Sequence, residues 1–150
     1  MLTPEEVLAL VPQRKPFRFI DRIIEIDASH VVGEYTFRHD EYFYAGHFPG
    51  APITPGVVLL ETMCQIGVVA FGIHLLGLEA SSDEVAKHVT LFTESTVEFT
   101  QVVPPGTTVR VEATKLYFRR LKLKSSVALL LPDGRIAAKG TVAGIGVPRV

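Results

Sequence analysis

The chain has 150 residues, enough for one domain with a real core and too few to expect two. Lysine and arginine (15) nearly balance aspartate and glutamate (16), so no global field draws nucleic acid or anionic lipid, and the single cysteine, Cys64, excludes an internal disulfide framework. A hydrophobic fraction of 47% and a mean hydropathy of +0.30 are high for a small monomer and imply apolar surface buried against another copy.

The opening "MLTPEEVLAL" supplies Thr3 as N-cap, Pro4 in the first turn and Glu6 as capping-box acid, predicting a short helix from Thr3 to about Val11. The same stretch carries acids where a secretory signal needs basic residues, so a cytoplasmic location is expected. β-Branched and aromatic residues predict strands over Arg18 to Ile26 and His30 to Arg38, turned by "DAS". Residues 42 to 56, rich in glycine and proline, read as a rigid irregular loop. From Val57 to about Leu76 the chain is apolar almost all round, with Gly77 as the expected C-cap. Such a helix is wrapped in protein or crosses a membrane; Glu61 and Gln65 inside it, and strand signals on both sides, favour wrapping. "LEASSDEVAK" (78–87) reads as a polar surface loop with at most one helical turn. Four further strand segments follow, broken by "VPPG" (103–106) and by the Pro132-Asp133-Gly134 turn. The expected fold is α+β: one domain over residues 1–150, an antiparallel sheet of about six strands around one long central helix.

Three positions stand out chemically. His47 is the one histidine of five held among glycine, proline and aromatic residues in a rigid loop; it is either a poised base or a residue that pins the loop by bonding backbone. Glu61 lies in the most hydrophobic segment, so its carboxyl must be protonated, paired or beside a cavity, and its pKa is expected to rise. Gln65, one turn on, can orient that carboxyl, while an arginine-matched carboxylate at a subunit interface is the competing reading of Glu61. Pro55-Gly56 precedes the helix, so the N–H groups of Gly56 and Val57 are free to face a carbonyl oxygen. A base, a neutral acid and a dipole aimed at a carbonyl suit removal of a proton α to that carbonyl and loss of a β-hydroxyl. No histidine pair has metal-site spacing, and no metal or cofactor is expected.

The segments "PQRKPFRFIDRI" (12–23), "GHFPGAPITPGVVLLETMCQ" (46–65) and "VPPGTTVRVEATK" (103–115) resemble the 3-hydroxyacyl-acyl-carrier-protein dehydratases of the hot-dog fold. The resemblance implies His47 and Glu61 as catalytic residues, the Gly56 N–H as the group polarising the thioester, and Val57, Gln65, Phe48 and Pro55 around the substrate. It also implies that His47 of one copy works with Glu61 of another in a homodimer, of a kind that in the family can assemble further as a trimer of dimers, on substrate carried by acyl-carrier protein. Neither nucleic acid nor membrane is an expected partner. Departures from the family pattern fall at Gln13, Thr62, Cys64 and Thr107, none of them the acid or base. The basic run "FRRLKLK" (118–124), with Arg14, Lys15 and Arg18, is a candidate dock for an acidic carrier or merely a solvated strand face. Two other readings use the same fold: an acyl-thioesterase with Glu61 as general base, and a noncatalytic acyl-binding or scaffolding subunit.

Overall fold

The computed structural model describes residues 1–150. Its N-terminal helix, Pro4–Leu10, is capped as the sequence predicts: the Thr3 hydroxyl accepts from the Glu6 N–H and the Glu6 carboxylate accepts from the Thr3 N–H at 2.8 Å. Six strands follow, β1 (Arg22–Ile26), β2 (His30–Thr36), β3 (His88–Phe99), β4 (Thr108–Arg119), β5 (Lys122–Leu130) and β6 (Ile136–Pro148). They form one antiparallel sheet in the order β1-β2-β4-β5-β6-β3. β3 therefore closes one edge after the central helix has crossed the sheet. Bulges at Lys115/Tyr117 in β4 and at Phe92/Glu94 in β3 add local twist and help the sheet curl.

The curl encloses the central helix, Gly56–Gly77, whose 22 residues are long and apolar enough to cross a bilayer. Its most apolar window is 72% buried inside the protein, so that surface is already satisfied by the sheet. Halfway along, residues Gln65–Ala70 widen into a π segment that the sequence did not announce. The helix presses closest to the strands here. A Cβ on Gly67 would lie 2.8 Å from Val127 Cγ1, and one on Gly144 would lie 2.7 Å from Val68 Cγ1. Only hydrogen at these two positions allows such an approach. The Ser125 hydroxyl, fully buried on β5, donates to the Gly67 carbonyl at 2.7 Å and satisfies it where the regular helical ladder is disturbed.

Three expectations need correction. β1 starts at Arg22, not Arg18, because the Phe17–Phe19 backbone is bonded to the Gln65 side chain instead of a neighbouring strand. β2 stops at Thr36, two residues early, where Phe37 turns to the Thr107 carbonyl. Gly77 does not form a left-handed C-cap: the helix runs through it to a C-cap at Leu78 with φ −73°. Its missing side chain instead makes room for Leu2, whose Cδ1 lies 2.6 Å from where a Cβ would stand. The polar 78–87 segment contains one helical turn, Ser82–Val85, and the turns at 103–106 and 132–134 fall where expected. The β4–β5 turn is different, since Arg120 and Leu121 adopt positive φ (51° and 61°) without glycine or asparagine to mark it.

Candidate active site

The loop after β2 is braced before it reaches His47. Arg38 donates to Asp21 at 2.8 Å and lies over the Tyr35 ring, while the Tyr35 hydroxyl donates to Glu41. A 3-10 turn, Tyr42–Ala45, then buries Tyr44 and delivers the chain to Gly46. The His47 N–H donates to the Phe43 carbonyl at 3.1 Å. His47 and Ile53 close a reciprocal pair: the Ile53 N–H donates to the His47 carbonyl and the His47 ring Nδ1 to the Ile53 carbonyl, both at 3.0 Å. A carbonyl oxygen only accepts, so Nδ1 carries the hydrogen and Nε2 of the neutral ring keeps a free lone pair. The imidazole stacks on Phe48 with ring centroids 4.2 Å apart, and the His47–Phe48 peptide bond is cis. The backbone-pinning reading of His47 and the base reading are thus compatible: one nitrogen holds the loop and the other is available.

Glu61 projects from the second turn of the central helix and is partly buried. Desolvation raises its pKa, an effect opposed in part by the Gln65 carboxamide, which donates to Glu61 Oε1 at 2.9 Å. No arginine reaches it within the chain. Gln65 is fully buried and saturated: its second N–H donates to the Phe17 carbonyl at 3.0 Å and its oxygen accepts from the Phe19 N–H at 2.7 Å. The side chain expected to steer Glu61 therefore also tethers the segment ahead of β1.

At the helix start, the Val58 and Leu59 N–H groups both donate to the Pro55 carbonyl, at 2.9 and 3.1 Å. The N–H groups of Gly56 and Val57 have no partner in the chain. They are the positive end of a 22-residue helix. The Val57 side chain is 75% exposed. A Cβ on Gly56 would sit 3.5 Å from the Phe99 ring at the end of β3, so the glycine leaves a narrow approach beside that aromatic.

Within one chain, the structure joins Glu61 to Gln65 and His47 to Ile53 and Phe48, but His47 and Glu61 share no hydrogen bond. Pro55 is buried as the residue before the helix, and Phe48 is about half exposed. Cys64 is buried and its thiol pKa is pushed far up by desolvation, which makes it a packed residue and not a nucleophile. Thr62 turns its hydroxyl back to the Val58 carbonyl at 2.8 Å. No group of three histidine, cysteine or acidic side chains is placed to hold a metal ion. Two features were not read from the sequence. The hydroxyls of Tyr44 and Thr54, both buried, bond each other at 2.6 Å behind the His47 loop; ten positions apart in a loop that also holds Tyr42 and His47, they give no local signal. The other is a narrow cleft of about 40 Å³ along the second half of the central helix, walled by Val68, Ile73, Leu76, Phe118, Leu121 and Leu123. It arises from long-range packing that no local pattern announces.

The comparisons with known proteins agree with this architecture. The FabA-like domain family matches residues 11–141. A 3-hydroxyacyl-[acyl-carrier-protein] dehydratase FabZ from Herpetosiphon aurantiacus is 35% identical over 141 residues, covering 93% of this chain and 94% of the relative. The protein of the same name from Roseiflexus sp. is 38% identical over 141 residues, with 93% of each chain covered. Among solved structures, the dehydratase heterocomplex ApeI:P from Xenorhabdus doucetiae superposes with a TM-score of 0.77 at 14% identity, over 99% of this chain and 94% of that one. Thioesterase HI1161 from Haemophilus influenzae does so with 0.69 at 13% identity, over 99% and 92%. These two share the hot-dog fold, a sheet curled around one long helix, with the chain described here. At such coverage the sequence matches settle the lineage: the chain belongs to the FabA-like family, on the branch of the FabZ 3-hydroxyacyl-[acyl-carrier-protein] dehydratases.

Proposed function

We propose that this protein removes water from a (3R)-3-hydroxyacyl thioester on acyl-carrier protein, giving the trans-2-enoyl thioester. His47 Nε2 takes the C2 proton. The electron pair of that C–H bond becomes the C2–C3 double bond, and the C3–O bond breaks as Glu61 protonates the departing hydroxyl. The Gly56 and Val57 N–H groups donate to the thioester oxygen as charge develops there. His47 is left protonated and Glu61 ionised, and proton transfer through water restores both. The observation that carries this reading is the His47 Nδ1 bond to the Ile53 carbonyl, which leaves Nε2 a free base in the neutral ring. Phe48, Pro55 and Val57 border the thioester, and Gln65 fixes the carboxyl.

The acid and base come from two copies of the chain in a homodimer. In support, β3 is a 12-residue edge strand, exposed along most of its length, with Leu91, Phe92 and Phe99 among the large apolar residues open to solvent. Pairing two such edges brings the Phe99 end of one copy, beside its Gly56, toward the His88 end of the other. The carrier docks on the β4–β5 hairpin. Arg119 and Arg120 there have no acidic partner, whereas Lys122 and Lys124 are matched by Glu94. The compartment is the cytoplasm, in keeping with a single cysteine that is buried and unpaired.

The test is enoyl-thioester absorbance with a 3-hydroxybutyryl thioester on carrier protein, run with wild type, His47→Ala and Glu61→Gln. Each variant is expected to lose about 100-fold or more in kcat while remaining dimeric. Hydrolysis that survives His47→Ala but not Glu61→Gln would establish the thioesterase instead. Inactivity of all three, with and without a partner subunit, would establish a scaffold.

A further inference from the structure

Beside the His47–Ile53 pair, the loop that carries His47 and the turn that opens the central helix meet in a buried hydrogen bond between two hydroxyls. Tyr44 stands three positions before His47, and Thr54 two positions before Gly56. Both side chains are 5% exposed, and their hydroxyls lie 2.6 Å apart, each the other's partner. The surroundings are otherwise fixed by backbone. The Thr54 N–H donates to the Val103 carbonyl at 3.0 Å, the Tyr44 N–H to the Glu41 carbonyl at 3.2 Å, and the Tyr44 ring packs edge-on against Phe43 at 4.8 Å. Thr54 is covalently next to Ile53, whose carbonyl fixes the His47 tautomer. Apart from the reciprocal His47–Ile53 pair, no other side-chain hydrogen bond links the two segments. Phenylalanine opposite an aliphatic residue would fill similar space without two buried hydroxyls that must find each other.

We infer that Tyr44 and Thr54 are positioning residues, whose hydrogen bond sets His47 Nε2 relative to the Gly56 and Val57 N–H groups. The inference rests on the dehydration reading for its kinetic consequence but not for its structural one. Neither hydroxyl touches the substrate. Losing the bond leaves the His47–Ile53 pair alone to hold the His47 turn against the helix entrance, and a displacement of a fraction of an ångström is enough to slow proton transfer. Binding of the acyl thioester, made largely by other surfaces, is left alone.

The experiment compares wild type, Tyr44→Phe, Thr54→Val, the Tyr44→Phe/Thr54→Val double variant and Thr54→Ser. Two readouts are used: steady-state dehydration, and ¹⁵N NMR of the His47 ring assigned against His47→Gln. The expected result is a fall of about tenfold in kcat for each single variant with KM within about twofold. The double variant should be no slower than the slower single one, because one bond is lost only once. Thr54→Ser should regain most of the rate. The ring should read as the Nδ1–H tautomer in wild type and in Thr54→Ser, and as a mixture of tautomers in Tyr44→Phe. Wild-type kcat together with an unchanged tautomer in Tyr44→Phe would overturn the inference, as would multiplicative losses in the double variant. If wild type itself eliminates no water while Tyr44→Phe still scrambles the tautomer, positioning stands and the proposed reaction falls.

Discussion

Replacing Gln65 by leucine tests how much the central tether supports. In the folded chain the carboxamide makes three bonds, from the Phe19 N–H at 2.7 Å, to the Phe17 carbonyl at 3.0 Å and to Glu61 at 2.9 Å. Phe17 is 46% exposed, so water can replace the bond to its carbonyl. Phe19 is fully buried and Glu61 partly so, and each loses a partner with no substitute. At about 1–3 kcal/mol for each of the two abandoned groups, less about 1–2 kcal/mol returned by burying the leucine side chain, the net loss is about 1–4 kcal/mol. For a domain of this size that lowers Tm on the order of 10 °C. Urea unfolding followed by far-UV circular dichroism gives the stability directly. A second effect has a definite sign: Gln65 donates to the carboxylate and so favours its ionised form, opposing the rise caused by burial. Without it the Glu61 pKa climbs further, Glu61 stays protonated to higher pH, and the alkaline limb of kcat/KM moves up. A Gln65→Leu protein within about 1 kcal/mol of wild type, with an unmoved alkaline limb, would refute the tether and the assignment of Glu61 as the acid together.

Three other perturbations have definite outcomes. Gly67→Ala should cost about 1–3 kcal/mol, because its Cβ would lie 2.8 Å from Val127 Cγ1 and 3.2 Å from Ala113 Cβ, and adding Val127→Ala should restore part of the loss in thermal melts. His74 is buried with neither ring nitrogen bonded, and desolvation holds its pKa below the usual 6.5, against the opposing pull of Asp27 and with the help of the N-terminal amine. The unfolded chain therefore takes up this proton first: the His74 contribution is fully present above pH 6.5 and is lost as pH falls toward the lower folded value. His74→Phe should flatten that acid-side slope in chemical unfolding series, leaving the opposite trend of His30, which Glu25 and Asp27 hold in its charged form. Leu91→Glu with Phe92→Glu on the open β3 edge should yield a monomer in sedimentation velocity and abolish dehydration, and an unchanged sedimentation coefficient would remove β3 as the dimer edge.

What could be read from the sequence follows the range of the forces involved. The N-terminal helix was legible because its capping box is closed by residues three apart, Thr3 and Glu6. The central helix was legible from its length and apolarity, and the 42–56 loop from its glycines and prolines. The start of β1 was not, since Phe17 and Phe19 bond a side chain 48 and 46 positions away. The π segment depends on Ser125 and on glycine contacts to β5 and β6, and the true role of Gly77 on Leu2 at the other end of the chain. At the site, the tension of a carboxyl in an apolar helix pointed to Glu61 and its raised pKa. The Tyr44–Thr54 bond escaped because neither residue is unusual in its own neighbourhood; only folding makes them neighbours.

The tight seating of the central helix also limits how such a protein can diversify. Where Gly67 meets Val127 and Gly144 meets Val68, there is no slack for even one more methyl group, so the inner wall is closed to gradual adaptation. Leu60, Ile73 and Leu76, elsewhere on the helix, remain partly open, and Ile73 and Leu76 border the narrow cleft toward Phe118 and Leu121, so a change of side chain meets less resistance there. Room for a longer or bulkier side chain is therefore found at those positions and not where the two glycines meet their valines.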